Sequence, residues 1–143
     1  MRYPLKNWQK IKRGYQFGEK TFYSSFHLGT DYIVPEGTPV YAPHDCKIVK
    51  VGNFPEGGRT IHASFFSRGY CQIVMRFMHL SKYPVPGKYK GGEIIGRTGN
   101  TGKLTRGAHL HLDISRKVVA IKNHSNFIDP EEFFSRSRGQ TLR

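Results

Sequence analysis

A chain of 143 residues, 37% hydrophobic and 13% aromatic, is long enough for one domain with its own core, and needs no disulfide framework to hold it. It contains no apolar run of roughly 18 residues, which excludes a membrane-spanning helix. A formal net charge of +13 predicts adhesion to polyanions, but the basic residues are scattered and no zinc-finger, RRM or helix-turn-helix pattern accompanies them, so a specific nucleic-acid partner is not expected.

Residues 1–10 carry charge without the apolar stretch of a secretory signal, so the expectation is synthesis in the cytoplasm. Residues 1–26 are aromatic and basic without a clear period and read as an arm packed on the domain. The segment His27-Leu28-Gly29-Thr30-Asp31 follows as a loop entering a strand, which ends at the turn Pro35-Glu36-Gly37. Residues 38–42 and 46–51 read as strands, 53–58 as a loop, and 60–66 with 71–78 as a hairpin whose second strand delivers His79. Residues 81–92 form a connector rich in Lys, Tyr, Pro and Gly. A short strand at 93–96 leads into the glycine-rich Arg97-Thr98-Gly99-Asn100-Thr101-Gly102. Residues 109–115 alternate strictly, with His109, His111, Asp113 and Ser115 on one face and Leu110, Leu112 and Ile114 on the other. Residues 117–121 are expected as that strand's hairpin partner. Asp129-Pro130-Glu131-Glu132 is a helix start, with an N-cap, a proline in the first turn and acids beside the dipole. Residues 135–143 form a basic, flexible tail. The fold class is therefore mainly β: one antiparallel sheet or sandwich-like core, a glycine-rich cleft and a short C-terminal helix. No internal repeat or domain linker is visible.

Cys46 and Cys71 belong to no C-x-x-C pair, which excludes a cysteine zinc site; a disulfide and two free thiols both remain open. The histidines are more telling. Four of the seven, His27, His79, His109 and His111, fall with Asp31 in three short segments. 

His44 and His62 stand outside this set, match no motif and read as surface or strand positions, and His124 reads as an inert residue of a polar loop. Catalytic zinc usually takes three protein ligands and leaves a fourth position for water. Residues two apart on a strand share a face, so His109 and His111 look into one cleft. His27 and Asp31 are four apart, but Gly29 and Thr30 argue for a loop entering a strand rather than a helix. The helical H-E-x-x-H zinc pattern is absent. Three ligands with spare imidazoles for proton transfer point to a metal-dependent hydrolase. Asp113 shares the face of His111 and reads equally as a residue orienting that imidazole or as an exposed strand end. Tyr23, Tyr32 and Tyr83 read as packing or as cleft lining.

The stretches His27-Leu28-Gly29-Thr30-Asp31-Tyr32, Gly37-Thr38-Pro39-Val40-Tyr41-Ala42, Phe77-Met78-His79-Leu80, Gly92-Glu93-Ile94-Ile95-Gly96-Arg97-Thr98-Gly99-Asn100-Thr101-Gly102 and His109-Leu110-His111-Leu112 resemble, in order and spacing, the lysostaphin/LytM-type zinc peptidases of family M23. The likeness covers roughly residues 27–134. That family cleaves peptide cross-links of bacterial peptidoglycan. The resemblance implies one zinc ion held by His27, Asp31 and His111, with His79 and His109 as the catalytic pair. One of the pair would act as general base and the other as donor to the tetrahedral intermediate, in an order the sequence does not assign.

Three departures from the family pattern stand out: Phe77 for a frequent Tyr, Ala108 for a common Pro, and one extra residue between Gly102 and His109. None removes a ligand or a catalytic histidine. Oligoglycine bridges and cross-links containing D-amino acids both remain open as substrates. The expected context is a monomeric, phage endolysin-like lysin that acts on the wall after release. Its basic surface would adhere to anionic wall polymers or lipopolysaccharide, which makes lysis salt-sensitive. The alternative is a catalytically inactive wall-binding module of the same fold, against which the complete ligand set counts.

Overall fold

Strand pairing follows the period-two pattern of the apolar residues. In the computed structural model, which describes residues 1–67, 70–116 and 126–138, the four long strands are β4 (Cys46–Phe54), β5 (Gly58–Ser67), β6 (Tyr70–Leu80) and β9 (Leu110–Ser115). Ile61, Ala63 and Phe65 of β5 are buried together with Ile73, Met75 and Phe77 of β6 and Leu110, Leu112 and Ile114 of β9. These side chains build the core on one face of the sheet. The residues between them, among them His62, Arg76, His111 and Asp113, come up on the other face and line a cavity there.

The shorter strands are β1 (Lys12–Arg13), β2 (Gly29–Ile33), β3 (Pro39–Tyr41), β7 (Gly87–Tyr89), β8 (Ile94–Arg97) and β10 (Phe127–Ile128). The main sheet has the order β1-β2-β9-β6-β5-β4-β7, with β10 also pairing β9. A separate ribbon joins β3 and β8. Every pairing among the described residues is antiparallel.

Several boundaries differ from the sequence expectation. β4 runs on through Phe54 and pairs it with Gly58, so the expected loop at 53–58 shrinks to a tight turn. Gly58 takes a positive φ of 68°, which lets the chain reverse there. The 81–92 connector contains β7, which pairs its Tyr89 with Cys46 at the sheet edge. The expected 117–121 partner strand lies outside the described residues; there β9 is flanked by β2, β6 and β10.

Helix α1 (Pro130–Arg138) starts as expected, with the Glu131 N–H donating to Asp129 Oδ1 at 2.9 Å. It continues to Arg138, so the residues read as the start of a flexible tail are helical. Residues 139–143 and His124 lie outside the described residues, as does the Cys71 side chain. Cys46 is a free, buried thiol whose pKa burial pushes up to about 11.

Leu5 and Trp8 from the first residues join Phe133 and Phe134 of α1 in the core. Trp8 packs on Tyr32 with ring centroids 4.2 Å apart, and the Arg13 guanidinium lies over both rings. Arg13 and the Tyr32 hydroxyl both reach Glu131, at 3.1 and 2.8 Å. Tyr32 is thus a core residue, and this clasp fixes β2, the strand that carries Asp31.

Candidate metal centre

Asp31 on β2 and His111 on β9 are direct cross-strand partners, which sets their side chains side by side on the polar face. Gly29 permits the approach: a Cβ there would run into the Leu112 carbonyl. The chain just before β2 brings in His27. One donor atom each from His27, Asp31 and His111 lies within 4.8 Å of the others, and all three residues are buried. His111 Nδ1 is 2.9 Å from Asp31 Oδ1, and His27 Nε2 is 3.5 Å from the same oxygen.

The donor set fits a metal ion on two counts. Neither ring nitrogen of His27 completes a hydrogen bond, although both are buried and the Gln16 backbone lies near. A buried polar atom without a partner is costly, and an ion would satisfy it. The protonation states of His27 and Asp31 also suit. Burial, with the charge of His111, holds His27 below its ordinary pKa. Burial raises the Asp31 carboxyl, but the hydrogen bond and charge of His111 outweigh it and keep the pKa below the usual range. Imidazole and carboxylate are ordinary zinc donors. Among the described residues no second trio of this kind occurs.

The other side of His111 is equally ordered. Its Nε2 lies 2.9 Å from Asp113 Oδ2, and Arg76 donates to both Asp113 oxygens at 2.7 Å from Nε and Nη2. Asp113 is only 1% exposed, which settles its two sequence readings in favour of orienting His111. Burial raises the Asp113 pKa, but Arg76 and His111 overcome this and bring it down to about 2. For His111 burial works against the charged ring, yet the bonds to Asp113 and Asp31 raise it to about 9. Sequence reasoning missed Arg76. Its signal was a lone charge inside the apolar run Ile73-Val74-Met75-Arg76-Phe77, a position that demands a partner.

His79 reaches the site through a β-bulge. Between the pairs Arg59–Leu80 and Ile61–Phe77, Met78 and His79 of β6 together face the single Thr60 of β5. His79 takes a positive φ of 64°, and Met78 and His79 both line the cavity. The Nδ1–H of His79 donates to the Thr101 carbonyl at 2.7 Å, and that of His109 to the Gly107 carbonyl at 2.8 Å. This assignment leaves both Nε2 atoms as lone-pair bearers. The rings lie 4.7 Å apart, and His109 Nε2 is 3.7 Å from Asp31 Oδ1. Burial pushes the His79 pKa down to about 4.

The centre lies between two cavities. One, of about 390 Å³, is bounded by Leu28, Phe54, Met78, His79 and Leu104. The other, of about 500 Å³, is bounded by Tyr15, Phe22, Arg106 and His109, with Asp31. Tyr23 lines both, and burial together with Asp31 pushes its phenol up to about 12. Tyr83 lines neither. The 102–108 loop walls the second cavity, where the Arg106 guanidinium sits 3.8 Å from the Phe22 ring centroid. His44 lines neither cavity. His62, read from the sequence as an inert strand position, lines the first.

Residues 25–128 match the model of peptidase family M23. A stretch of 104 residues is 38% identical to the peptidoglycan DD-endopeptidase ShyA of Vibrio cholerae, covering 67% of this chain and 22% of that protein. The chain therefore spans less than a quarter of the length of that curated relative. The fold is similar to the catalytic domain of the antimicrobial peptidase lysostaphin from Staphylococcus simulans, with a TM-score of 0.74 and 32% identity over 89% of this chain and 94% of that one. It is also similar to a zinc-containing peptidase from Vibrio cholerae, with a TM-score of 0.67 and 30% identity over 79% of this chain and 35% of that one.

Proposed function

Because the chain belongs to peptidase family M23, we propose that it is a zinc-dependent endopeptidase that hydrolyses peptide cross-links or stem peptides of bacterial peptidoglycan. The observation that carries this reading is the buried convergence of His27, Asp31 and His111, donor atoms within 4.8 Å, beside two further imidazoles. These three residues would hold the ion. When bound, zinc supplies a Lewis acid for the amide carbonyl and acidifies water to a pKa of roughly 7.

The remaining steps belong to the protein. With Nδ1–H committed to the Thr101 and Gly107 carbonyls, His79 and His109 present Nε2 as the proton-accepting atom. Either can take the proton of the attacking water and, once charged, donate to the oxyanion or the departing amine. Arg76 and Asp113 hold His111 in the tautomer that turns Nδ1 toward Asp31. The net charge of +13 supports adsorption to anionic wall polymers.

The test is digestion of purified peptidoglycan of several chemotypes, with and without a chelator, read by mass spectrometry. New peptide termini that vanish on chelation are expected. His79→Ala and His109→Ala should keep zinc and lose about 100-fold or more in turnover. Full activity in both variants would refute their roles. Zinc and wall binding by the unaltered protein with no new termini would favour the inactive module.

A further inference from the structure

A row of ionisable residues crosses the sheet beside the metal centre. Lys50 of β4 pairs with His62 of β5, His62 with Arg76 of β6, and Arg76 with Asp113 of β9. Directly opposed residues share a face, and all four line the 390 Å³ cavity. Leu28, Phe54, Pro55, Met78 and Leu104 give its wall an apolar stretch, and Tyr23, Thr60 and the exposed Glu56 complete it. His79 and His111 line it too, so a group filling this space would lie next to the bond being cut.

The row is unevenly satisfied. Asp113 occupies Arg76 through two bonds of 2.7 Å. Lys50 has no carboxylate partner among the described ion pairs; its Nζ lies 5.3 Å from the Phe54 ring centroid. His62 Nδ1 is buried and makes no hydrogen bond among the described residues. Burial, joined by the charges of Arg76 and Lys50 against that of Asp113, holds the His62 ring below its ordinary pKa. A neutral imidazole can offer an N–H to an acceptor. The cavity thus combines apolar wall with the Lys50 cation and the His62 ring.

We propose that this cavity is a substrate subsite for a side chain with an apolar stem and a terminal carboxylate, which pairs with Lys50 and accepts a hydrogen bond from His62. The inference rests on the endopeptidase reading and chooses between its two substrate classes. Cleavage is directed to bonds flanked by such a residue and away from oligoglycine, which has no side chain to fill the space or to meet His62.

The experiment uses the zinc-loaded protein and matched synthetic peptides. They carry glutamate or glutamine, in D or L form, on either side of the cut, with pentaglycine alongside. At least one glutamate peptide should be cut with kcat/KM tenfold or more above its glutamine twin and above pentaglycine. Lys50→Met and His62→Phe, each with a full zinc complement, should reduce the glutamate-to-glutamine ratio below threefold. Pentaglycine cut as fast as every glutamate peptide, or a ratio unchanged in both variants, would overturn the subsite and leave the endopeptidase standing. Failure of the zinc-loaded protein to cut any peptide or wall would remove the endopeptidase reading, and the subsite with it.

Discussion

Asp113→Ala separates what holds the fold from what aims the metal ligand. Asp113 is buried, takes two bonds from Arg76 at 2.7 Å and lies 2.9 Å from His111 Nε2. Removing it leaves a buried guanidinium unpaired, which typically costs about 3–5 kcal/mol. It also frees the His111 ring to rotate, and loss of such a supporting bond costs about 10–100-fold in metal affinity, or roughly 1.4–2.7 kcal/mol. Urea unfolding of the chelated protein measures the first quantity; competition with a chromophoric chelator measures the second. The double variant Arg76→Met/Asp113→Leu removes both charges, so it should recover most of the stability without recovering the zinc affinity. An Asp113→Ala protein within about 0.5 kcal/mol of the original, and with zinc affinity within about twofold, would refute the argument.

Without metal, stability should peak near the ordinary histidine pKa of about 6.5. His79 is depressed to about 4, so between about pH 6.5 and 4 the unfolded chain binds the extra proton, and stability falls with pH by about 3 kcal/mol. His111 is raised to about 9, so its contribution is full below about 6.5 and is lost as pH rises through 9. Urea melts of chelated protein from pH 4 to 9 check this; a profile still rising from pH 6.5 to 9 would contradict it. His79→Gln should flatten the acid limb. Gly29→Ala should cost about 1–3 kcal/mol or more by driving a methyl into the Leu112 carbonyl, and should weaken zinc binding by separating Asp31 from His111. Unchanged urea stability and zinc affinity would show that β2 and β9 can spread without cost.

The face that carries the histidines was legible because period two is printed in β9, where Leu110, Leu112 and Ile114 go to the core and His109, His111 and Asp113 face the cleft, whereas the choice of His27, Asp31 and His111 as ligands came from the family resemblance. The helix start at Asp129 was legible because capping chemistry is local. What escaped depends on register, which alternation within one strand does not carry. Arg76 acquires meaning only when β6 pairs with β9 and sets it opposite Asp113. His62 becomes a cavity residue only when β5 is placed between Lys50 and Arg76. Simple alternation from Arg76 and Met78 would turn His79 into the core; the bulge opposite Thr60 reverses it, and no residue type in the sequence announces that slip. β7 stayed hidden because edge pairing tolerates the Gly and Lys of a connector.

The carbonyls that orient His79 and His109 come from Thr101 and Gly107, six residues apart on one continuous loop. That loop is itself tied to the β4–β5 turn, through Lys103 N–H to the Pro55 carbonyl and Leu104 N–H to the Glu56 carbonyl. The two proton carriers therefore share a single mount. A substitution or insertion that shifts this loop to suit a different substrate will re-aim both imidazoles together, so substrate range and proton transfer in this protein are inherited as one trait and not as two independently adjustable ones.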